Sequence, residues 1–155
     1  MPVYELDFND FSSNEYALIA IHTTLSDYKL AYLLNNRLNY LFKRADFDLD
    51  MRSKHNEKVS FTIYEYFNTE YSFFLISNVY KNKKETDGVG LFIESIAYNY
   101  LVPEKKKVDY FMKIEGDIEE DFLITLIKEI KSLPQVLTSY EIEVETLKSK
   151  DFLIF

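Results

Sequence analysis

The spacing of apolar residues along the chain predicts two helices. Leucines recur at steps of three and four within residues 26–41, which is the pattern of a helix with one apolar stripe. A second stripe of the same kind lies in residues 117–130, where Asp117 and Glu120 have the spacing of a capping box. Pro134 follows and is expected to stop this helix. We therefore predict one helix near each end of the chain.

Strands are predicted from runs with other patterns. Residues 16–22 are apolar on both faces, which is typical of a central strand that is covered on both sides. Apolar residues alternate with acids in 46–51, which favours an edge strand. The β-branched and aromatic runs 59–67 and 71–80 predict two further strands. Side chains that alternate with a period of two predict strands over 96–102 and 108–115, and 136–144 is predicted to be the last strand. The polar segment 81–90 is predicted to be a loop.

The order of these elements predicts an α+β fold. Runs 59–67 and 71–80 are predicted to form one hairpin, and Pro103 is predicted to turn a second hairpin between 96–102 and 108–115. Two helices are too few for a doubly wound parallel sheet. We predict a largely antiparallel sheet of about six strands with two helices on one face. The strand-helix step near each end makes this plan loosely ferredoxin-like.

Composition indicates an ordinary single domain. The chain has 155 residues, of which 47% are apolar, so we predict an irregular N-terminal tail over 1–14 and one α+β domain over 15–155. It contains no Cys, which excludes disulfides and thiolate metal sites, and its first residues lack the pattern of a secretory signal. We therefore expect a cytoplasmic protein. No apolar stretch approaches the ~20 residues that a membrane helix requires.

The charge of the chain restricts its partners. A net charge of −8 disfavours binding to nucleic acid, to an anionic membrane and to another acidic protein. The basic clusters are at 81–84 and 105–107, and successive turns of a simple meander emerge at opposite ends of the sheet, so we expect two separate, solvated turns. The expected partner is an unknown protein or a second copy of the chain, with no nucleic acid and no membrane.

A calcium loop is the most specific metal pattern in the sequence, and it fails in detail. Its acids would be Asp46, Asp48, Asp50 and Glu57. Met51 stands where the tight turn requires Gly, and a strand instead of a helix is predicted to follow. Neither His22 nor His55 has a second His or Cys at ligand spacing, so a zinc site is not expected. His22 is expected instead to be packed and to bond to a neighbouring group. We expect no metal and no cofactor.

One short motif resembles a known signature. Residues 102–110 read Val-Pro-Glu-Lys-Lys-Lys-Val-Asp-Tyr, which is similar to the signature of the small bacterial IPExxxVDY family, with Val102 in place of the first Ile. The resemblance implies membership in a family without an assigned activity. The candidate motif residues are Pro103, Glu104, Val108, Asp109 and Tyr110.

Two acids of this motif are the candidates for chemistry. Glu104 follows a rigid proline, and Asp109 lies between apolar residues, where burial could raise its pKa enough for acid/base work. A structural role for Asp109, in capping or in pairing with a lysine, is preferred because isolated perturbed carboxylates are often structural. The leading hypothesis is a non-enzymatic binding or adaptor domain. The alternative is a small-molecule-binding or hydrolytic domain that uses Glu104 and Asp109.

Four tyrosines are candidates for an interface. They are Tyr64, Tyr66, Tyr98 and Tyr100. We expect them on the sheet face away from the helices, because two helices shield one side of the sheet, and we expect two-fold self-association through that face. In the competing interpretation the N-terminal tail and residues 152–155 fold across this face, and the protein is a monomer.

Overall fold

The computed structural model describes residues 16–88 and 91–155, without the side chains of residues 84–88 and 91–94. The predicted tail over 1–14 lies outside the described residues. The elements are β1 (Tyr16–Thr23), α1 (Asp27–Leu38), β2 (Lys43–Arg44), β3 (Leu49–Arg52), β4 (Lys58–Phe61), β5 (Ile63–Phe67), β6 (Ser72–Ser77), β7 (Val79–Gly88), β8 (Leu91–Tyr100), β9 (Tyr110–Glu115), α2 (Glu120–Lys131) and β10 (Val136–Ile142). Short 3₁₀ helices cover Pro103–Lys105, Val144–Thr146 and Lys150–Leu153.

The main sheet confirms the predicted fold class. Its six strands have the order β10-β1-β9-β6-β5-β2, and all neighbouring strands are antiparallel. Buried residues of α1 and α2 join one cluster with the same side of the sheet, so both helices cover one face. The elements β1, α1, β6, β9, α2 and β10 follow the ferredoxin-like split βαβ order. The remaining strands are insertions into that plan.

The helices bury the stripes that the sequence predicts. Leu30 and Leu34 of α1, and Leu126 and Ile130 of α2, are buried against the sheet. The predicted capping box is wrong, because α2 begins after Glu119, with no hydrogen bond from the Glu119 side chain to the first turn. Packing of the apolar stripes therefore holds both helices in place.

Strand β1 is the centre of the molecule, as its apolar residues predict. It pairs with β10 on one side and with β9 on the other. Ile19 and Ile21 pack towards the helices, whereas Leu18 and Ala20 pack on the opposite side, and all four are fully buried. The sheet therefore has a core on each face.

The sheet face away from the helices, which we call the far face, is covered. Its core includes Phe61 of β4, Val102, and Leu153 near the C-terminus, all of them buried. The ring of Phe155 packs against Phe74, with 5.1 Å between the ring centroids. The prediction of an open far face is therefore wrong, because the inserted strands and the C-terminal residues close it.

A lysine lies within the far-face core. Lys113 of β9 is 2% exposed, and its Nζ atom is 2.9 Å from an oxygen of the Glu115 carboxylate. The same Nζ atom lies over the rings of Phe155 and Tyr16, at 4.2 and 4.8 Å from their centroids. Ion pairing and cation–π contacts thus compensate the loss of hydration that burial causes.

The structure corrects the course of the chain between β4 and β9. The predicted run 59–67 is divided at Thr62, and the run 71–80 is divided at Asn78. The prediction of a loop over 81–90 is wrong for the described residues, because β7 continues to Gly88. The second predicted hairpin is also wrong, since β8 pairs with β7, whereas β9 pairs with β1 and β6. We call the pair β7–β8 the ribbon.

Candidate functional site

Glu104 fastens the C-terminal residues to the motif. Its carboxylate accepts hydrogen bonds from the backbone N–H and the hydroxyl of Ser149, at 2.8 and 2.9 Å. Ser149 precedes the 3₁₀ helix Lys150–Leu153, which buries Leu153 in the far-face core. Burial raises the pKa of the Glu104 carboxyl, but hydrogen bonds from its own backbone, Ser149 and Lys148 outweigh that effect and leave the pKa below its ordinary value. Glu104 is therefore an ionised tether.

Asp109 fastens a different part of the fold. Its Oδ2 atom accepts a hydrogen bond of 2.9 Å from the backbone N–H of Thr23, where the pairing of β1 with β10 shifts register. The backbone N–H of Asp109 donates to the carbonyl of Ile21 at 3.2 Å. The carboxylate thus satisfies a backbone donor at the end of β1, beyond Ile21 and Tyr110, the last pair of residues between β1 and β9.

The two candidate acids do not form a catalytic pair. Glu104 binds Ser149 near the C-terminus, whereas Asp109 binds Thr23 at the end of β1. Each carboxylate accepts a hydrogen bond from a backbone N–H, and the lowered pKa of Glu104 disfavours a role for that residue as a proton donor. The geometry supports a structural role for both residues.

Asn78 is the residue that organises the motif, and sequence reasoning missed it. It is fully buried, and its Oδ1 atom accepts a hydrogen bond of 2.8 Å from the backbone N–H of Val102. Its Nδ2 atom donates to the carbonyls of Lys105 and Val108, at 2.9 and 2.8 Å. Its own backbone bonds to Asp109 and Leu101. The available signal was an Asn inside the largely apolar run 71–80, where the other polar residues are the smaller Ser72 and Ser77.

The other motif residues complete this structural unit. Pro103 opens the 3₁₀ helix, and Val108 is 1% exposed in the far-face core. The Tyr110 hydroxyl donates a hydrogen bond of 2.7 Å to the carbonyl of Leu25. Burial raises the pKa of Tyr110, and the charges of Asp27 and Asp109 raise it further, so the hydroxyl stays protonated as a donor.

An open groove lies between the start of α1 and the base of the ribbon. It has a volume of about 770 Å³, and Asp27, Asp48 and Asp109 are among its lining residues. Each carboxylate already has a partner. Asp27 accepts a hydrogen bond from Thr62, Asp48 pairs with Arg44, and Asp109 accepts the one from Thr23. The groove is lined by both polar and apolar residues, and its acids serve the fold.

Asp48, Asp50 and Glu57 of the calcium-like pattern bind neighbouring side chains. Asp50 accepts a hydrogen bond of 2.5 Å from Ser60 and lies 3.8 Å from the ammonium of Lys58. Within residues 16–88 and 91–155, no three His, Cys, Asp or Glu side chains form a group that could hold a metal ion. His22 bonds to a neighbour, as expected, through a 2.9 Å contact with the Tyr140 hydroxyl.

The four candidate interface tyrosines do not share a face. Tyr64 and Tyr66 pack against the helix-side core, whereas Tyr98 and Tyr100 belong to the ribbon. Tyr64 pairs with Leu75 of β6, which lies in the helix-side core, so both side chains are on that face. A shift of β5 by one residue would be needed to bring Tyr64 to the far face. Their predicted placement on one open face is wrong. Tyr98, at 51% exposure, is the most exposed of the four.

One face of the ribbon is exposed near its base, where it carries two lysines, and by strand register Glu85, Asp87 and Glu94 lie further along the same face. Lys81 pairs with Tyr98, and Lys83 pairs with Ile96, so these four side chains point the same way. All four are exposed. We call this set the outer face of the ribbon. On the opposite side, Asn82 donates a hydrogen bond of 3.1 Å to Glu57.

The outer face also corrects the expectation that the two basic clusters lie apart. Tyr100 pairs with Val79, which places its ring on the same side of the ribbon as Lys81. The Nζ atom of Lys106, from the other cluster, lies 5.8 Å from the centroid of that ring. The second cluster thus meets the ribbon at its base, because the ribbon replaces the predicted meander.

Comparisons with known proteins leave the activity open. No helix among the described residues is long and apolar enough to span a membrane. Searches against protein-family models, curated proteins and solved structures find no match to this chain.

Proposed function

We propose that this chain is a non-enzymatic binding or adaptor domain of the cytoplasm and that the ribbon is its contact element. The observation that carries the proposal is the exposed outer face. A two-stranded ribbon is marginally stable by itself in water and needs a further strand or a packed face for support. The ribbon receives that support on its inner side, where Tyr80 packs near Phe61, whereas Tyr98 and Ile96 remain exposed on the outer side. A partner would cover these residues.

The structural roles of the motif acids favour binding over catalysis. Glu104 and Asp109 each accept a hydrogen bond from a backbone amide of another segment. We also propose membership in the IPExxxVDY family. The support is that Glu104, Asp109 and Tyr110 each form a hydrogen bond to a different segment of the chain, so the motif acts as one structural unit.

Site-specific photocrosslinking in living cells tests the contact element. A photoreactive phenylalanine analogue replaces Tyr98 in one variant and Tyr32 of α1 in the control, because Tyr32 is also an exposed tyrosine, at 70%. We expect a discrete protein adduct from position 98 that position 32 does not give. Equal adducts from both positions, or none from position 98, would overturn the ribbon as contact element.

A small-molecule role for the groove is the alternative, because its volume of about 770 Å³ lies beside Asp109. A thermal-shift screen with a metabolite mixture separates the two functions. A compound at about 100 times its Kd adds roughly 2.7 kcal/mol to the free energy of unfolding. If such a compound stabilises the wild type but not an Asp109→Asn variant, small-molecule binding replaces the adaptor proposal. If no compound does so, the alternative is rejected.

A further inference from the structure

The outer edge of β8 indicates how a partner would be bound. The backbone N–H of Leu101 donates a hydrogen bond of 2.9 Å to the carbonyl of Asn78, just before the first residue pair of the ribbon. Bonded and non-bonded pairs alternate along an antiparallel ladder, so this bond fixes which residues of β8 bond to β7. Ile96 and Tyr98 therefore turn their backbone N–H and C=O groups away from β7.

These backbone groups are free in the part of the chain that the structure describes. No hydrogen bond from residues 16–88 or 91–155 reaches the main chain of Ile96 or Tyr98, and the two residues are 47% and 51% exposed. A row of unpaired N–H and C=O groups is a template for one more strand. The complement of this edge is an extended segment, because a strand presents donors and acceptors at the same spacing.

The edge of β8 lacks the features that guard other edge strands. Residues 95–100 contain no charged residue and no proline, and the pairing of β8 with β7 has no shift of register. By contrast, β7 carries lysines at positions 81, 83 and 84, β2 has two residues, and β10 has a shift of register. Lysines, short strands and bulges all oppose edge pairing, so β8 has the edge at which a strand can add.

We propose that the edge of β8 binds an extended segment of a partner protein, which becomes the third strand of the ribbon. This inference rests on the proposed function and adds the mode of binding. Alternate side chains of the added strand would lie beside Ile96 and Tyr98 on the outer face, so we assign apolar residues to those positions. The third strand supplies support that a two-stranded ribbon lacks.

The charge of the protein restricts the identity of the segment. A net charge of −8 disfavours an acidic partner, and a second copy of the chain is itself acidic. We therefore assign the added strand to a different protein, in a segment that is neutral or basic. A nucleic acid does not fit, because it has no peptide N–H and C=O groups with which to continue the ladder.

Photocrosslinking from position 98 in living cells, combined with a proline at the edge, tests the strand addition. Ile96→Pro removes an N–H that points away from β7, and proline is tolerated in edge strands at such positions. The matched control is Ile96→Thr, which keeps the N–H and a β-branched side chain. We expect Ile96→Pro to reduce the adduct at least ~10-fold and Ile96→Thr to change it less than about 3-fold. NMR spectroscopy verifies that β7 and β8 stay paired in both variants.

The crosslinked segment gives an independent measurement on the full chain. Mass spectrometry of the adduct identifies this segment, and fluorescence anisotropy measures the binding of the same segment as a labelled synthetic peptide. N-methylation of alternate residues removes the backbone donors along one edge of the peptide. We expect one alternate set of N-methyl groups to weaken binding at least ~10-fold and the other set to weaken it less than about 3-fold.

Three other outcomes would overturn the strand addition. Equal adducts from Ile96→Pro and Ile96→Thr, or equal weakening by the two sets of N-methyl groups, would show that side chains alone make the contact, and the adaptor function would stand. An adduct of twice the mass of the chain would replace the different protein by a second copy. No adduct from position 98 in the otherwise unchanged chain would overturn the proposed function as well.

Discussion

Replacement of Asn78 by Ala is the sharpest test of how the motif is held. The Asn78 side chain makes three hydrogen bonds, to the N–H of Val102 and the carbonyls of Lys105 and Val108. Those to Val102 and Val108 are buried, and each backbone group left without a partner costs about 1–3 kcal/mol. Water can reach the Lys105 carbonyl, because that bond is only partly buried. We expect a total loss of about 2–5 kcal/mol.

Urea titration followed by circular dichroism measures this loss. A domain of this size has a free energy of unfolding of about 5–15 kcal/mol, so the change lies well within range. The control is Asn36→Ala, an exposed position on α1, where we expect a change within about 0.5 kcal/mol. If Asn78→Ala loses less than about 1 kcal/mol, its hydrogen bonds do not organise the motif and the reasoning fails.

Three further changes test other parts of the fold. Leu126→Ala should cost about 2–5 kcal/mol in urea titration, because Leu126 is 1% exposed, and a loss below about 0.5 kcal/mol would remove α2 from the core. Gly116→Ala should lower the melting temperature, because Gly116 has φ +136° and a Cβ there would lie 2.7 Å from the Glu70 carbonyl oxygen; an unchanged melting temperature would contradict this steric argument. Glu104→Gln should be less stable than the wild type near neutral pH. The folded pKa of Glu104 lies below its ordinary value of 4.5. Its contribution is therefore present above pH 4.5 and is lost as the pH falls through the folded pKa, so the gap should close in urea titrations carried out at successively lower pH. A gap that stays constant would exclude the tether.

The core elements could be predicted because their buried positions recur with a regular period along the sequence. Residues 16–22 are apolar on both faces, and β1 is indeed buried on both. The stripes led by Leu34 and Leu126 likewise predict helices that pack on a sheet. In these segments the side chains that are buried in the core are the same apolar side chains whose spacing predicts a helix or a strand.

The first strand of the ribbon could not be predicted beyond Tyr80, because its sequence lacks the apolar alternation of a buried strand. Residues 81–88 carry lysines and acids and show no apolar alternation, so their strand pairing depends on backbone hydrogen bonds that composition does not reveal. A structural role for Asp109 was expected, but its partner could not be predicted. Its partner, Thr23, lies 86 positions away, at a shift of register that only the assembled sheet creates.

The central position of β1 has a consequence for synthesis on the ribosome. Leu18 pairs with Ile142 of β10 and with Lys113 of β9, so neither neighbour of β1 exists until most of the chain has been made. At about 5–20 residues per second, roughly 6–25 s pass between translation of β1 and translation of β10. During that interval β1, an eight-residue strand that is buried on both faces in the native fold, has no neighbouring strand with which to pair. Nascent chains of this protein should therefore depend on ribosome-associated chaperones far more than the native domain does.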